Sequence, residues 1–309
     1  APKPLRFILS INSVPALTRL KRLKISNMKH LFAALLFALS LKLAAQNTPQ
    51  LVIPTLDRFS IDGVNYIPAK KYLLSNGTDD NLKFWQLSDG RMVKNLAIDE
   101  MLKPIATAVA PDGKTTAFVA TYNIGWVNVD DFSLKISDEM AQSDGQAGFS
   151  YTAAAFSKDG KTLFVGGGQY GQIKVWKVAV GGTKLIPLGS TGIDPQELDP
   201  ADGSGGEAVK GIKKFAVSPD GKTIVAAAGS KELYAFNTTD GKVKRLSKAN
   251  SNTHCFLASG ILVGSLKNED QESSTVTLYN SLNYKETTTF QVPFQVISII
   301  AYPKSNQCI

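Results

Sequence analysis

The stretch AVSPDGKTIVAAA, residues 216–228, is an apolar run, a tight turn built on Pro219, Asp220 and Gly221, and a second apolar run ending in small residues. Proline presets φ at the first corner, the aspartate carboxylate caps the backbone of the turn, and glycine takes the left-handed conformation that sends the chain back. An antiparallel hairpin follows. Nearly the same phrase stands at residues 108–120 (AVAPDGKTTAFVA, with Asp112 and Gly113) and at residues 154–167 (AAFSKDGKTLFVGG, with Asp159 and Gly160). Recurrence at a few tens of residues is the signature of a repeat architecture.

In the fullest copy, a strand over residues 151–156 turns at Ser157–Gly160 and returns over 163–166. The Gly-rich link GGQYGQ follows, then a third strand, IKVWKV, at 173–178. A fourth copy repeats this order and ends in KELYAFN, with Phe236 where Trp176 stands. The first copy is worn: IPAKKYL from Ile67 aligns with SPDGKTI from Ser218, and Trp85 occupies the outer strand. In the second copy Val129 takes the Trp position, and the fifth is HCFLASGILVGSL followed by TVTLYN. IAYPKSNQCI, residues 300–309, overlays FAVSPDGKTI, with Asn306 in the place of Gly221.

Each unit thus has three clear strands and a poorer fourth, near KLIPL (184–188) or ETTTFQV (286–292). No sustained 3.6-residue apolar period occurs in the body, so helices are not expected there. A four-stranded sheet cannot bury both faces alone, but radial stacking against its neighbours does bury them. The expected fold is an all-β propeller of about five four-stranded blades plus the start of a sixth, part of a larger ring. The blades fall at about 63–95, 104–137, 150–188, 210–248 and 252–282, with a partial unit at 287–309.

The segments NGTDDNLKFWQLSDGRMVKNL (76–96) and SPDGKTIVAAAGSKELYAFNTTDGKVKRL (218–246) resemble WD-repeat propellers, a likeness covering about residues 51–309. Its carriers are the Asp-Gly turn, the Thr78-Asp79-Asp80 approach to the outer strand, and Trp85 or Trp176 within that strand. The chain departs from the family pattern by lacking the opening Gly-His dipeptide and by ending no copy in Trp-Asp. Related propellers of lactonase-like and periplasmic type also use Ser-Pro-Asp-Gly turns. Together with the export signal described next, the first unit looks like exported propeller domains of Bacteroidota-type bacteria. Some of those precede a catalytic effector module.

The formal charge of +8 is confined to one end of the chain. Eight Lys and Arg residues lie in the first fifty positions, no acidic residue precedes Asp57, and the remainder balances 26 basic against 26 acidic residues. The body therefore lacks the basic footprint that nucleic acid requires. Residues 28–46 have the layout of a secretory signal peptide: Lys29 and His30, an apolar stretch from Leu31 to Leu41, and small residues at Ala44 and Ala45. That stretch is too short for a stable membrane span, which needs about 20 apolar residues. Residues 1–27 read as an upstream or non-native segment, 47–309 as the propeller, and the protein as exported to the periplasm or beyond.

The remaining motifs carry little chemistry. GGGQYG (166–171) satisfies G-x-G-x-x-G but runs into a strand, so no helix N-terminus awaits a pyrophosphate, and a hairpin link accounts for its glycines. His254 stands without a second histidine in the body and without a G-x-S-x-G elbow, which reads as a strand-end polar residue. Cys255 and Cys308 fit no zinc spacing; a disulfide could persist outside the cell, and Cys255 reads as a small buried residue. The insertion at 189–211 carries Asp194, Glu197, Asp199 and Asp202 without calcium-loop spacing. No cofactor, metal or catalytic residue is expected.

Long loops on a rigid scaffold are where binding sits. The insertion and the turn residues Asp112, Asp159 and Asp220 are therefore the expected contact face for a protein or peptide partner, with Trp126 and Tyr170 as the freer aromatics. Gly113, Gly160, Gly221, Trp85, Trp176 and Phe236 are assigned to turns and blade packing. Two other readings are a lactonase-like hydrolase using carboxylates and a metal, and a carbohydrate or cell-wall binder using exposed aromatics.

Overall fold

The computed structural model describes residues 9–10, 61–99, 102–137, 150–169, 172–191, 212, 214–227, 232–250, 253–267, 273–280, 283–296, 299 and 306–308. Residues 28–46, whose sequence has the layout of a signal peptide, lie outside them. A two-residue strand, β1 (Leu9–Ser10), precedes five antiparallel sheets. The first comprises β2 (Ile61–Ile67), β3 (Tyr72–Gly77), β4 (Asn81–Gln86) and β5 (Met92–Ala97). The second comprises β6 (Ala106–Val109), β7 (Thr115–Val119), β8 (Ile124–Asn128) and β9 (Leu134–Ile136). The third holds β10 (Ser150–Phe156), β11 (Thr162–Gln169), β12 (Gln172–Ala179) and β13 (Ile186–Ser190). The fourth holds β14 (Lys214–Val217), β15 (Thr223–Ala227), β16 (Glu232–Asn237) and β17 (Val243–Asn250). The fifth holds β18 (Thr253–Phe256), β19 (Leu262–Lys267), β20 (Ser274–Tyr279) and β21 (Glu286–Val292). Finally β22 (Gln307–Cys308) pairs with β1.

In every sheet the strands lie side by side in chain order, so each unit is an up-and-down meander. The first strands β2, β6, β10, β14 and β18 pack against one another in that sequence and form the inner wall. Five blades of a β-propeller result. Residues 286–292 pair with β20 and complete the fifth blade as its outer strand, instead of opening a sixth unit.

The strand sequences follow from their place in the blade. Second strands such as TTAFV and TIVAA are apolar on both faces because a neighbouring blade covers each side. Outer strands such as MVKNLA and ETTTFQV are largely exposed and correspondingly polar.

Four apolar seams join successive blades. Leu82 and Phe84 of the first meet Phe118 and Val127 of the second. Between the second and third, Trp126 packs edge-on to Phe156 at 6.4 Å, and within blade three Trp176 stands edge-on to Tyr151 at 5.6 Å in the same apolar cluster. Phe164 and Val175 meet Phe215 and Phe236 in the third seam, and Val225 and Leu233 meet Phe256 and Tyr279 in the fourth. Each buried large side chain contributes about 1.5–3 kcal/mol relative to exposure, so the seams dominate the favourable side of folding. The far face of blade five is covered by Val296, Ile299 and Cys308. On blade one, Val64 and Tyr66 lie on the face turned away from blade two and stay 36% and 37% exposed.

Register corrects three sequence expectations. Leu73 pairs with Trp85, Ile224 with Phe236 and Leu163 with Val178, so the residue in line with Phe236 is Val178, not Trp176. Trp176 stands two places earlier on the same face, which a strand permits because its side chains alternate with period two. In blade two the equivalent residue is Val127, opposite Thr116, and not Val129. Trp126 faces the other way and is 5% exposed, so it belongs to a seam and is not a free aromatic.

The glycines of GGGQYG also have another reason. Gly166, Gly167 and Gly168 lie within β11, and a Cβ on Gly166 would stand 2.1 Å from the Phe215 ring and 2.5 Å from Ile212 of the next blade. Gly166 therefore makes room for the third seam. Replacing it with alanine forces the ring aside, and overpacking of this kind costs about 1–3 kcal/mol. In denaturant melts Gly166→Ala is expected to destabilise the chain by that amount, and Phe215→Leu in the same molecule to relieve part of it. Strictly additive losses in the double variant would show that no clash exists.

Candidate functional site

Because strands alternate in direction, the two ends of the ring are built differently. The turns from first to second strand and from third to fourth share one end. Hydrogen bonds tie them together: Thr238 N donates to Lys222 O at 2.9 Å and Leu87 N to Lys71 O at 2.9 Å. At the other end lie the links from second to third strand and the crossings to the next blade. There Ser137 N donates to Ile124 O at 2.8 Å and Thr191 N to Ile173 O at 2.9 Å.

The first end is made of uniform connections of four to six residues, including every Asp-Gly turn. Asp112 Oδ1 accepts from Lys114 N at 2.9 Å. Asp159 Oδ1 accepts from Ser157 Oγ at 2.6 Å and Lys161 N at 3.1 Å; Asp220 Oδ1 accepts from Ser218 Oγ at 2.6 Å and Lys222 N at 3.0 Å. The serine hydroxyls first, and the turn amides next, hold the Asp159 and Asp220 carboxyls below the usual carboxylate value. These side chains close their own turns. Gly113, Gly160 and Gly221 have φ of 67°, 70° and 76°, the left-handed values that the sequence required. The worn first copy manages without glycine by placing Lys71 at φ 54°, one position later than the residue aligned with Gly221.

The second end carries long connections. Between Ile136 and Ser150 run 13 residues, and between Ser190 and Lys214 run 23. The acidic insertion thus leaves the ring at the end opposite the Asp-Gly turns. The expectation that the two share one face fails because those turns join first to second strands, whereas the insertion follows a fourth strand. Asp194, Glu197, Asp199 and Asp202 themselves, and Tyr170, lie outside the described residues.

The points from which both long connections spring are anchored. Ser137 Oγ accepts from Ile124 N at 2.9 Å and donates to Ile124 O at 3.0 Å, and Thr191 Oγ1 accepts from Ile173 N at 2.9 Å. Each hydroxyl pins the end of an outer strand to the start of its neighbour. Nearer the axis, Asn65 donates to Thr107 Oγ1 at 2.8 Å, Thr107 to Asn76 Oδ1 at 3.2 Å and Asn76 to the Pro104 carbonyl at 3.3 Å. This polar chain locks the first two blades together.

Charged and aromatic groups decorate the same end. Lys83 and Asp79 form a nearly buried ion pair at 2.5 Å. Burial alone would raise the Asp79 carboxyl, but hydrogen bonds from Lys83 and Asn81 outweigh it and hold the carboxyl low. Lys103 meets Asp80 at 3.3 Å. Tyr122, in the link ATYNIG, is 39% exposed, and Ile105, directly before β6, 36%. Sequence reasoning passed over Tyr122, Ser137 and Thr191. The available signal was a large aromatic at a link and a hydroxyl directly after each outer strand.

No protein-family model matches this chain. No curated protein matches it either. The functional reading therefore rests on the site itself. Among the described residues no group of three or more His, Cys, Asp or Glu could hold a metal ion, and no helix is long and apolar enough to cross a membrane.

His254 is not the strand-end polar residue that its setting in sequence suggests. It is fully buried, its Nε2 donating to the Val225 carbonyl at 2.9 Å in the seam between blades four and five, and its Nδ1 has no hydrogen-bond partner. Burial, opposed in part by the Val225 bond and aided by Lys214, lowers its pKa to about 4 from 6.5. The folded state thus resists protonation that the unfolded chain accepts. Stability is fully present above about 6.5 and falls as pH drops toward 4, by on the order of 3 kcal/mol in total. Denaturant midpoints measured from pH 7 to pH 4 are expected to show that decline, and His254→Leu to flatten it; an unchanged slope in the variant would assign the decline to other groups.

Proposed function

We propose that the chain is an exported, non-catalytic propeller that binds a protein or peptide partner through the end bearing the long connections. The carrying observation is the asymmetry between the ends. One is closed by short turns whose polar groups are spent on the turns themselves. The other holds two long connections on hydroxyl-anchored strand ends beside Tyr122 and Ile105. Rigid scaffolds commonly present binding segments in this way. The five carboxylates of residues 189–211, Asp194, Glu197, Asp199, Asp202 and Glu207, favour a partner carrying basic residues, with association that weakens as salt rises. Export rests on the signal-like segment 28–46.

Selection of peptides from a random library against the immobilised chain tests the reading. Selected peptides should be rich in Lys and Arg. They should lose about 10-fold or more in affinity when residues 192–211 are replaced by a Gly-Ser segment of equal length or when Tyr122→Ala is introduced. Lys222→Glu, at the short-turn end, should leave binding unchanged. The opposite pattern would move the site to the other end. Titration with calcium is expected to give no saturable heat; a specific heat with a raised melting point would favour the metal-dependent hydrolase.

A further inference from the structure

The last described residues lie across the outer face of blade five and are held there by bonds that do not involve sulfur. Val296 N donates to Ser274 Oγ at 2.9 Å, Ile299 N to Thr253 Oγ1 at 3.1 Å, and Ser259 N to Asn306 Oδ1 at 2.7 Å. Lys214 reaches from blade four to donate to the Ile299 carbonyl at 2.7 Å. Asn306 thereby sits against the turn of the fifth blade, as Gly160 and Gly221 sit against the turns preceding theirs. Two residues further on, Cys308 packs into the apolar cluster that contains Cys255 and Leu257, and the two thiols share a hydrogen bond. Both cysteines are free. Residues 53 positions apart in sequence are thus brought together by a segment anchored on either side of the contact.

We propose that Cys255 and Cys308 are a reversible disulfide site, oxidised by exchange with a small-molecule disulfide, that fastens the C-terminal strand to the inner strand of blade five. The two sulfurs differ as such exchange requires. Cys308 is half-buried, and the hydrogen bond from Cys255 favours its thiolate and lowers its pKa to about 7. Cys255 is buried, and the same hydrogen bond, with burial, pushes its thiol up. The Cys308 thiolate attacks one sulfur of the small disulfide, breaking its S–S bond and releasing one thiol. Cys255 then loses its proton and attacks the Cys308 sulfur of the mixed disulfide, forming the protein S–S bond and releasing the second thiol. Both protein protons end on the two released thiols. The protein is oxidised by two electrons and the small disulfide is reduced by two.

Incubating the full chain with oxidised glutathione after complete reduction, with intact mass and peptide mapping as readout, tests this. A loss of about 2 Da, no free thiol, and a peptide joining Cys255 to Cys308 are expected. The rate should rise with pH through about 7. The oxidised chain should melt about 5–10 °C above the reduced one, and Cys308→Ser should abolish that difference while keeping the strand-rich circular dichroism of the parent. A mixed disulfide that persists on Cys308, two thiols that survive prolonged oxidation, or dimers joined between chains would overturn the proposal. Should Cys255→Ser fail to fold, Cys308→Ser alone carries the comparison, because Cys308 lies in the covering segment and not in the blade.

Discussion

Everything in this molecule depends on apolar contact between the faces of adjacent sheets. A single meander such as β14 to β17 exposes Val225 on one side and Ile224 on the other, and neither side finds cover within its own blade. Cover comes from the blades before and after. The chain is therefore stabilised through a series of nearest-neighbour seams, and each seam is specified by residues from two repeats. Polar contacts act within that frame. The Asn65, Thr107 and Asn76 chain aligns two blades already held by Phe84 and Phe118.

The repeat also decides which polar groups remain free for a partner. Asp159 and Asp220 look like surface carboxylates in the sequence, yet each is engaged by a serine hydroxyl and a backbone amide within five residues. Group after group at the short-turn end is used internally in this way. At the opposite end Ser137 and Thr191 do comparable work for the strand ends.

What could be read from the sequence was local. The Asp-Gly turn encodes its own geometry in three residues, and the strand after it follows from alternation and β-branching, so the hairpins and the five full blades were legible, whereas the sixth unit expected from residue 287 was not found, because 286–292 pairs as the outer strand of blade five. What depended on register was harder. The links between second and third strands differ in length, and this shifts Trp176 by two positions relative to Phe236 without changing its face. In blade two it puts Trp126 on the opposite face from Trp176. His254 and Cys255 are neighbours in the chain but face different seams, one toward Val225 and the other toward Cys308. Alternation puts the two on opposite faces, but what each face meets is decided only by the stacking of blades.

The separation of the two ends carries an architectural consequence. Lengthening a connection at the pole that bears the 13- and 23-residue crossings changes no strand pairing, because the anchoring hydroxyls close each sheet before the chain departs. New segments grafted there would leave the stack undisturbed. An extra residue in an Asp-Gly turn would instead rotate every following side chain of its strand onto the wrong face, and two seams would be lost at once.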